Sequence, residues 1–83
     1  MKIVDCKGVE NKQQLHRLLA EKLSFPDYYG NNLDALFDCL TDMRQETVIR
    51  LDGWETLADW KDGFTQTFSD AAQENPHLQV IFA

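Results

Sequence analysis

Tyr28-Tyr29-Gly30-Asn31-Asn32-Leu33-Asp34-Ala35-Leu36-Phe37-Asp38-Cys39-Leu40-Thr41-Asp42 is the stretch on which the reading of this chain turns. Folded as a helix, it lines Leu33, Leu36, Phe37 and Leu40 along one face, the spacing of a stripe that packs on a core. A second face carries Asp34, Asp38 and Asp42, each four residues from the next. Like charges at that spacing cost roughly 0.2–0.5 kcal/mol per pair. Asp38 and Asp42 also fall toward the helix C-terminus, where the macrodipole disfavours anions. A sequence shaped for stability alone would carry Lys or Arg at one of these positions. The tension points to a surface kept acidic for a cationic partner. Just upstream, Gly30 and Asn31 suit a turn with positive φ, and Asn32 suits the N-cap.

On the N-terminal side, Met1 to Cys6 reads as a first strand, broken by Lys7-Gly8. Asn11 followed by Gln14 resembles a capping box, and Leu15, Leu18, Leu19 and Leu23 recur at helical spacing, with His16 on the polar side. Ser24 to Asp27 ends that helix. On the C-terminal side, Thr47 to Leu51 is β-branched and bounded by Asp52-Gly53, which makes a second strand. A short helical piece around Trp54 to Trp60 follows. Asp62 then suits the cap of a last helix carrying Phe64, Phe68, Ala71 and Ala72 on one side, stopped by Asn75-Pro76. The run Leu78 to Phe82 is nearly all apolar and suits an inner or parallel strand. The order β-α-α-β-α-α-β predicts an α/β fold: one domain over residues 1–83, a three-stranded parallel sheet with about four helices covering mainly one face.

Composition and charge narrow the function. A chain of 83 residues, 43% hydrophobic and 27% charged, falls in the globular range and away from disordered or fibrous classes. Residues 1–22 hold five bases and three acids, a net +2, whereas residues 23–83 hold three bases and eleven acids, a net −8. Between Leu23 and Met43 there are four acids and no base. Such a balance repels nucleic acid and anionic membranes and attracts basic proteins. No apolar run approaches the ~18–20 residues of a membrane span. Asp5, Lys7 and Glu10 interrupt any signal-peptide core, so the reading is cytoplasmic. Cys6 and Cys39 lack metal or redox spacing and are expected as reduced thiols, a bridge between them being left open. His16 and His77 stand in no nucleophile pattern, so no catalytic residues and no cofactor are expected. Asp34, Asp38 and Asp42 lie on one helix face and encircle a divalent cation poorly, so no metal site is expected.

The stretch from Tyr28 to Thr41 resembles the barstar family of ribonuclease inhibitors in its Tyr-Tyr-Gly turn, capping Asn and Leu-Asp-Ala-Leu-aromatic-Asp core. The likeness extends more weakly over the whole chain. It includes the Leu15/Leu18 helix, the Phe-Pro-Asp lead-in and a last helix with Asp70 and Glu74 before an apolar strand. The resemblance implies a three-stranded parallel α/β fold whose acidic helix and preceding turn plug the active-site cleft of a basic, secreted, barnase-like ribonuclease, protecting the producing cell. By position it implies Asp38 as the phosphate-mimicking carboxylate, Asp34 as a second anionic contact and Tyr28 as a ring packed on the catalytic region. Tyr29, Asn32, Phe37, Thr41 and Met43 would lie nearby, Asp42 would extend the acidic stripe, and Asp70 would add a contact from the last helix. Phe37 and Met43 stand where the family usually carries tryptophans, Asp42 where a glycine is common, and Asp70 is a methylene shorter than the usual Glu. The free protein is expected to be monomeric. The alternative is an acidic interaction or toxin-immunity module whose basic partner is not a barnase-like ribonuclease.

Overall fold

The computed structural model describes residues 1–83. Three parallel strands, β1 (Lys2–Asp5), β2 (Thr47–Asp52) and β3 (Leu78–Phe82), pair in the order β1-β2-β3. Three α-helices connect them: α1 (Lys12–Lys22), α2 (Leu33–Thr41) and α3 (Asp62–Glu74). The strands' period-2 pattern sets the layers. Val4, Ile49, Leu51 and Leu78 point into the core with Leu15 and Leu19 of α1, Leu36 and Leu40 of α2, and Phe64, Phe68 and Ala71 of α3. Each of these side chains except the small Ala71 contributes about 1.5–3 kcal/mol relative to leaving it in water. On the other face Ile3, Arg50 and Ile81 share one row of the register, and Ile3 stays 49% exposed. Helices cover one face of the sheet, as the element order predicts.

Two expectations change in detail. β3 is an edge strand, not an inner one, although it is parallel. Its apolar character is spent on packing past the strand end, where Phe82 meets Trp54 and Phe68 at ring separations of 5.4 and 6.3 Å. The segment from Trp54 to Lys61 is not a fourth α-helix but two 3-10 turns, Trp54–Thr56 and Asp59–Lys61. Leu57 and Ala58 are extended between them, which breaks the α-helical bonding. Trp54 is instead pinned by Nε1 donating to Thr65 Oγ1 at 2.9 Å. Asp62 is accordingly the first residue of α3, with Lys61 before it as the cap.

Local chemistry explains the joints. Asn11 Oδ1 accepts from the Gln14 amide at 2.9 Å, and Gln14 Oε1 accepts from the Glu10 amide at 2.8 Å, so the reciprocal half of the capping box lands one residue early. In the Tyr-Tyr-Gly-Asn turn only Asn31 has positive φ, at 52°. Gly30 serves by its lack of a side chain: a Cβ there would stand 3.1 Å from Asn32 Nδ2. Gly53 has the stricter requirement, with φ at +72° and a Cβ that would sit 2.4 Å from Lys7 Cγ and 3.3 Å from the Lys7 amide. Gly53→Ala is expected to cost about 1–2 kcal/mol. The check is the urea midpoint set beside that of Gly8→Ala, which also has positive φ but no atom within 4 Å of its Cβ. Equal losses would mean that the contact with Lys7 contributes nothing.

Candidate partner-binding face

Asn32 starts α2, with Oδ1 accepting from the Ala35 amide at 2.7 Å and Nδ2 donating to Gly30 O at 3.3 Å. Its carboxamide is therefore engaged in holding the turn to the helix. From there α2 buries Leu36 and Leu40 and leaves Asp34, Asp38 and Asp42 exposed. None of the three carboxylates has a salt bridge or a side-chain hydrogen bond, and no basic residue stands in the last turn. The negative end of the helix dipole adds to the same side. No three His, Cys, Asp or Glu side chains converge in a way that could hold a metal ion.

Beside α2 lies a groove of about 550 Å³ whose walls are the turn before the helix and the helix itself. Tyr28, Tyr29, Asp38, Asp42 and Met43 line it, over an apolar floor that includes Phe25 and Cys39. The two tyrosines divide their work. Tyr28 is 87% exposed, whereas Tyr29 is 9% exposed and packs on Phe25 at 4.9 Å between ring centres. Burial, and then the neighbouring Cys39, push the Tyr29 phenol well above its ordinary range, so it remains a proton donor. Burial, then Asp42 and Asp38, likewise raise the Cys39 thiol, and burial holds the Cys6 thiol up at about 11, so both free cysteines are unreactive in character.

Five of the sequence-derived positions fall outside this groove, the cap Asn32 among them. Asp34 is exposed one turn nearer the N-terminus, and the Thr41 hydroxyl donates to Phe37 O at 2.9 Å. Phe37 and Asp70 line a separate hollow of about 340 Å³ between α2 and α3, together with Gln73 and Glu74. Asp70 there accepts from Gln66 Nε2 at 2.9 Å.

Two supporting residues are not evident in the sequence reading. His16 is not on a polar face: it is 5% exposed, with Nδ1 sharing a 2.7 Å hydrogen bond with Tyr29 Oη and its ring 4.7 Å from that of Phe64. Its position three and seven residues before Leu19 and Leu23 was the available signal. Asn75 does more than stop α3. Its Nδ2 donates at 2.9 Å to both Leu40 O and Met43 O, holding the C-terminal end of α2 against α3.

Residues 1–82 match the family described as Barstar (barnase inhibitor). The chain belongs to the Barstar family. Among curated relatives, it is 62% identical over 39 residues to "Putative ribonuclease inhibitor YrdF" of Bacillus subtilis (strain 168). That match covers 47% of this chain and 43% of the relative, so the chain spans less than half of its length there. No helix of this Barstar-family chain is long and apolar enough to cross a membrane.

The burial of His16 makes stability pH-dependent. Burial first, and Lys12 second, hold the imidazole below its ordinary value of 6.5. Lys12 and Tyr29 are the titratable groups around it; α3 presents the uncharged Phe64. Below pH 6.5 the unfolded chain takes up a proton that the folded ring resists. Stability is therefore full above that value and declines as pH falls toward the depressed one. Thermal melts from about pH 8 down to pH 5 should show a steeper loss in the parent than in His16→Gln. Parallel slopes would place the acid sensitivity elsewhere.

Proposed function

We propose that this protein is a non-catalytic inhibitor of a basic, barnase-like ribonuclease, acting in the cytoplasm of the cell that makes the enzyme. Its membership of the Barstar family and its likeness to a relative named as a ribonuclease inhibitor support a ribonuclease as the partner. The observation that carries the reading is the groove rimmed by Asp38 and Asp42 on one side and the exposed Tyr28 ring on the other. A nuclease cleft is built to hold a polyanion and its bases, so carboxylates beside a free aromatic ring imitate its substrate. Asp38 is the principal anionic contact, flanked by Asp34 and Asp42. Tyr28 supplies the stacking surface. Tyr29 and Asn32 hold the turn that presents it, and Met43 closes the groove. Phe37, Thr41 and Asp70 extend the contact toward α3.

An interface of standard size takes about 800 Å² from each partner, against a total surface of 5169 Å² here. The test is titration calorimetry against a catalytically inactive barnase-like ribonuclease at low and moderate salt, together with an RNA-cleavage assay using the active enzyme. Tight binding that weakens with salt, and protection of the RNA, are the expected results. Failure of both in a folded sample would overturn the reading.

A second reading keeps the face and changes the partner. Phe37 and Met43 stand where the family resemblance implies larger indoles, and Asp42 adds a charge to the groove rim. These favour a partner with more basic and less apolar surface, a related nuclease toxin for which this chain is the immunity protein. Protection against such a toxin without protection against a barnase-like enzyme would select it.

A further inference from the structure

The acidic groove does not end at Met43. A neighbouring hollow of about 240 Å³ shares Leu23 and Met43 with it and is otherwise lined by Lys2, Arg44, Gln45 and Thr47. Its charge is the reverse of the groove's: two cations and no carboxylate, in a chain whose net charge is −6. We propose that the partner-binding surface runs across Met43 onto Arg44 and Lys2, and that this extension receives a carboxylate-bearing segment of the same, otherwise basic, partner. The extension rests on the inhibitor reading above and adds a second, opposite charge to what that partner must present.

Arg44 is free to meet a partner. Of the three bases after residue 22, Arg50 is held by Asp52 at 2.7 Å and Lys61 Nζ donates to Leu57 O at 3.1 Å, whereas Arg44 has neither an ion pair nor a side-chain hydrogen bond. Asp42 is two residues away, yet the two do not pair. Glu46, two residues on the other side, is turned to His77, its Oε1 lying 2.7 Å from Nδ1. Lys2 is likewise exposed and unpaired. The segment that carries Arg44 is pinned on both sides: Met43 O accepts from Asn75 Nδ2 at 2.9 Å, and Thr47 Oγ1 donates to Gln45 O at 2.8 Å. Lys2 stands on β1, in register with Ile49. Both cations start from fixed backbone, so docking costs little loop ordering.

The pairing of the two hollows is a device for selectivity. A face of carboxylates alone would attract any basic protein. Cations set beside it repel a partner that is basic throughout and favour one whose basic cleft is bordered by an acid, because discrimination comes from repulsion as well as attraction. A bare polyanion is disfavoured, since Asp38 and Asp42 line the adjoining groove. Leu23 and Met43 give the two charged ends a common apolar floor, so one continuous segment of a partner can span both.

The test sets two charge reversals side by side, Arg44→Glu and Arg17→Glu, in titration calorimetry against a catalytically inactive barnase-like ribonuclease at low and moderate salt. Both residues are exposed and unpaired, so the fold tolerates either change, and Arg17 lines a different hollow with Asp5 and Lys7. Each substitution makes the chain more acidic by the same amount. For a basic partner that change alone speeds encounter, so Arg17→Glu should bind as tightly as the parent or more tightly. Arg44→Glu is expected to do the opposite, weakening binding about tenfold or more at low salt, with a smaller loss as salt rises. Lys2→Glu should lose affinity in the same direction. An affinity of Arg44→Glu equal to that of Arg17→Glu would overturn the extension and leave the inhibitor reading standing. Absence of binding by the parent would remove both.

Discussion

Asp38→Ala is expected to weaken binding of an inactive barnase-like ribonuclease by about 2–5 kcal/mol, roughly 30-fold to several-thousand-fold, a general range to which the barnase–barstar pair itself contributes. The effect is large because truncation leaves the partner's cation buried and unpaired, a greater penalty than loss of the contact alone. Stability should move the other way or not at all. The Asp38 carboxylate has no partner within the free protein, and its neighbours at i−4 and i+4 are Asp34 and Asp42. Removing it relieves two repulsions of roughly 0.2–0.5 kcal/mol each. Calorimetry and urea denaturation on the same sample separate the two effects. An affinity equal to that of the parent would remove Asp38 from the centre of the interface. An unfolded variant would show that the carboxylate has a structural role not visible in its contacts.

Asn75→Ala should produce the largest loss of stability among single substitutions at polar residues, about 2–4 kcal/mol. Its amide is the sole side-chain donor to Leu40 O and Met43 O. Alanine would leave Met43 O without this donor and Leu40 O with the long Met43 amide contact at 3.4 Å, and would free the His77 amide that donates to Asn75 Oδ1 at 3.0 Å. For a domain of this size each kcal/mol moves Tm by about 4–8 °C, so a fall of roughly 10 °C or more is expected. Asn75→Asp keeps the acceptor but sets a carboxylate against the two carbonyl oxygens, and should be no better. A midpoint unchanged in Asn75→Ala would mean that water replaces the amide at no cost. The same carbonyls belong to the turn that carries Asp42 and Met43, so the loss extends to the proposed binding face.

The sheet, the helices and their order were legible because each rests on local rules. Asn11 and Asn32 cap where the pattern places them, and the alternation in Thr47 to Asp52 gives one buried face. The Tyr28 turn and the Asp38/Asp42 rim were legible through the family resemblance and through the unfavourable spacing of the charges. What escaped the sequence are the effects of partners distant along the chain. Phe82 is apolar because Trp54 and Phe68 lie beside it, and not because a strand flanks it on both sides. His16 is a polar residue rendered internal by Tyr29, thirteen residues on, and Phe64. Asn75 finds its acceptors 32 and 35 residues away. The Trp54 to Lys61 segment has helical composition, but Leu57 and Ala58 extend so that Trp54 can reach Thr65.

The all-parallel register has a consequence in time. Lys2 pairs with Ile49, and Thr47 with Leu78, so neither strand pair can be closed by a hairpin. Each waits for the chain between to be drawn in. Loop-closure entropy must be met before the sheet returns any of it, which places folding nearer milliseconds than microseconds. β3 ends at Phe82, so on a ribosome the last strand leaves the exit tunnel after everything it completes. The acidic face on α2 is translated early, yet the Asn75 amide that fixes its end arrives more than thirty residues later. A nascent chain therefore carries the acidic stripe before it has the structure to hold it.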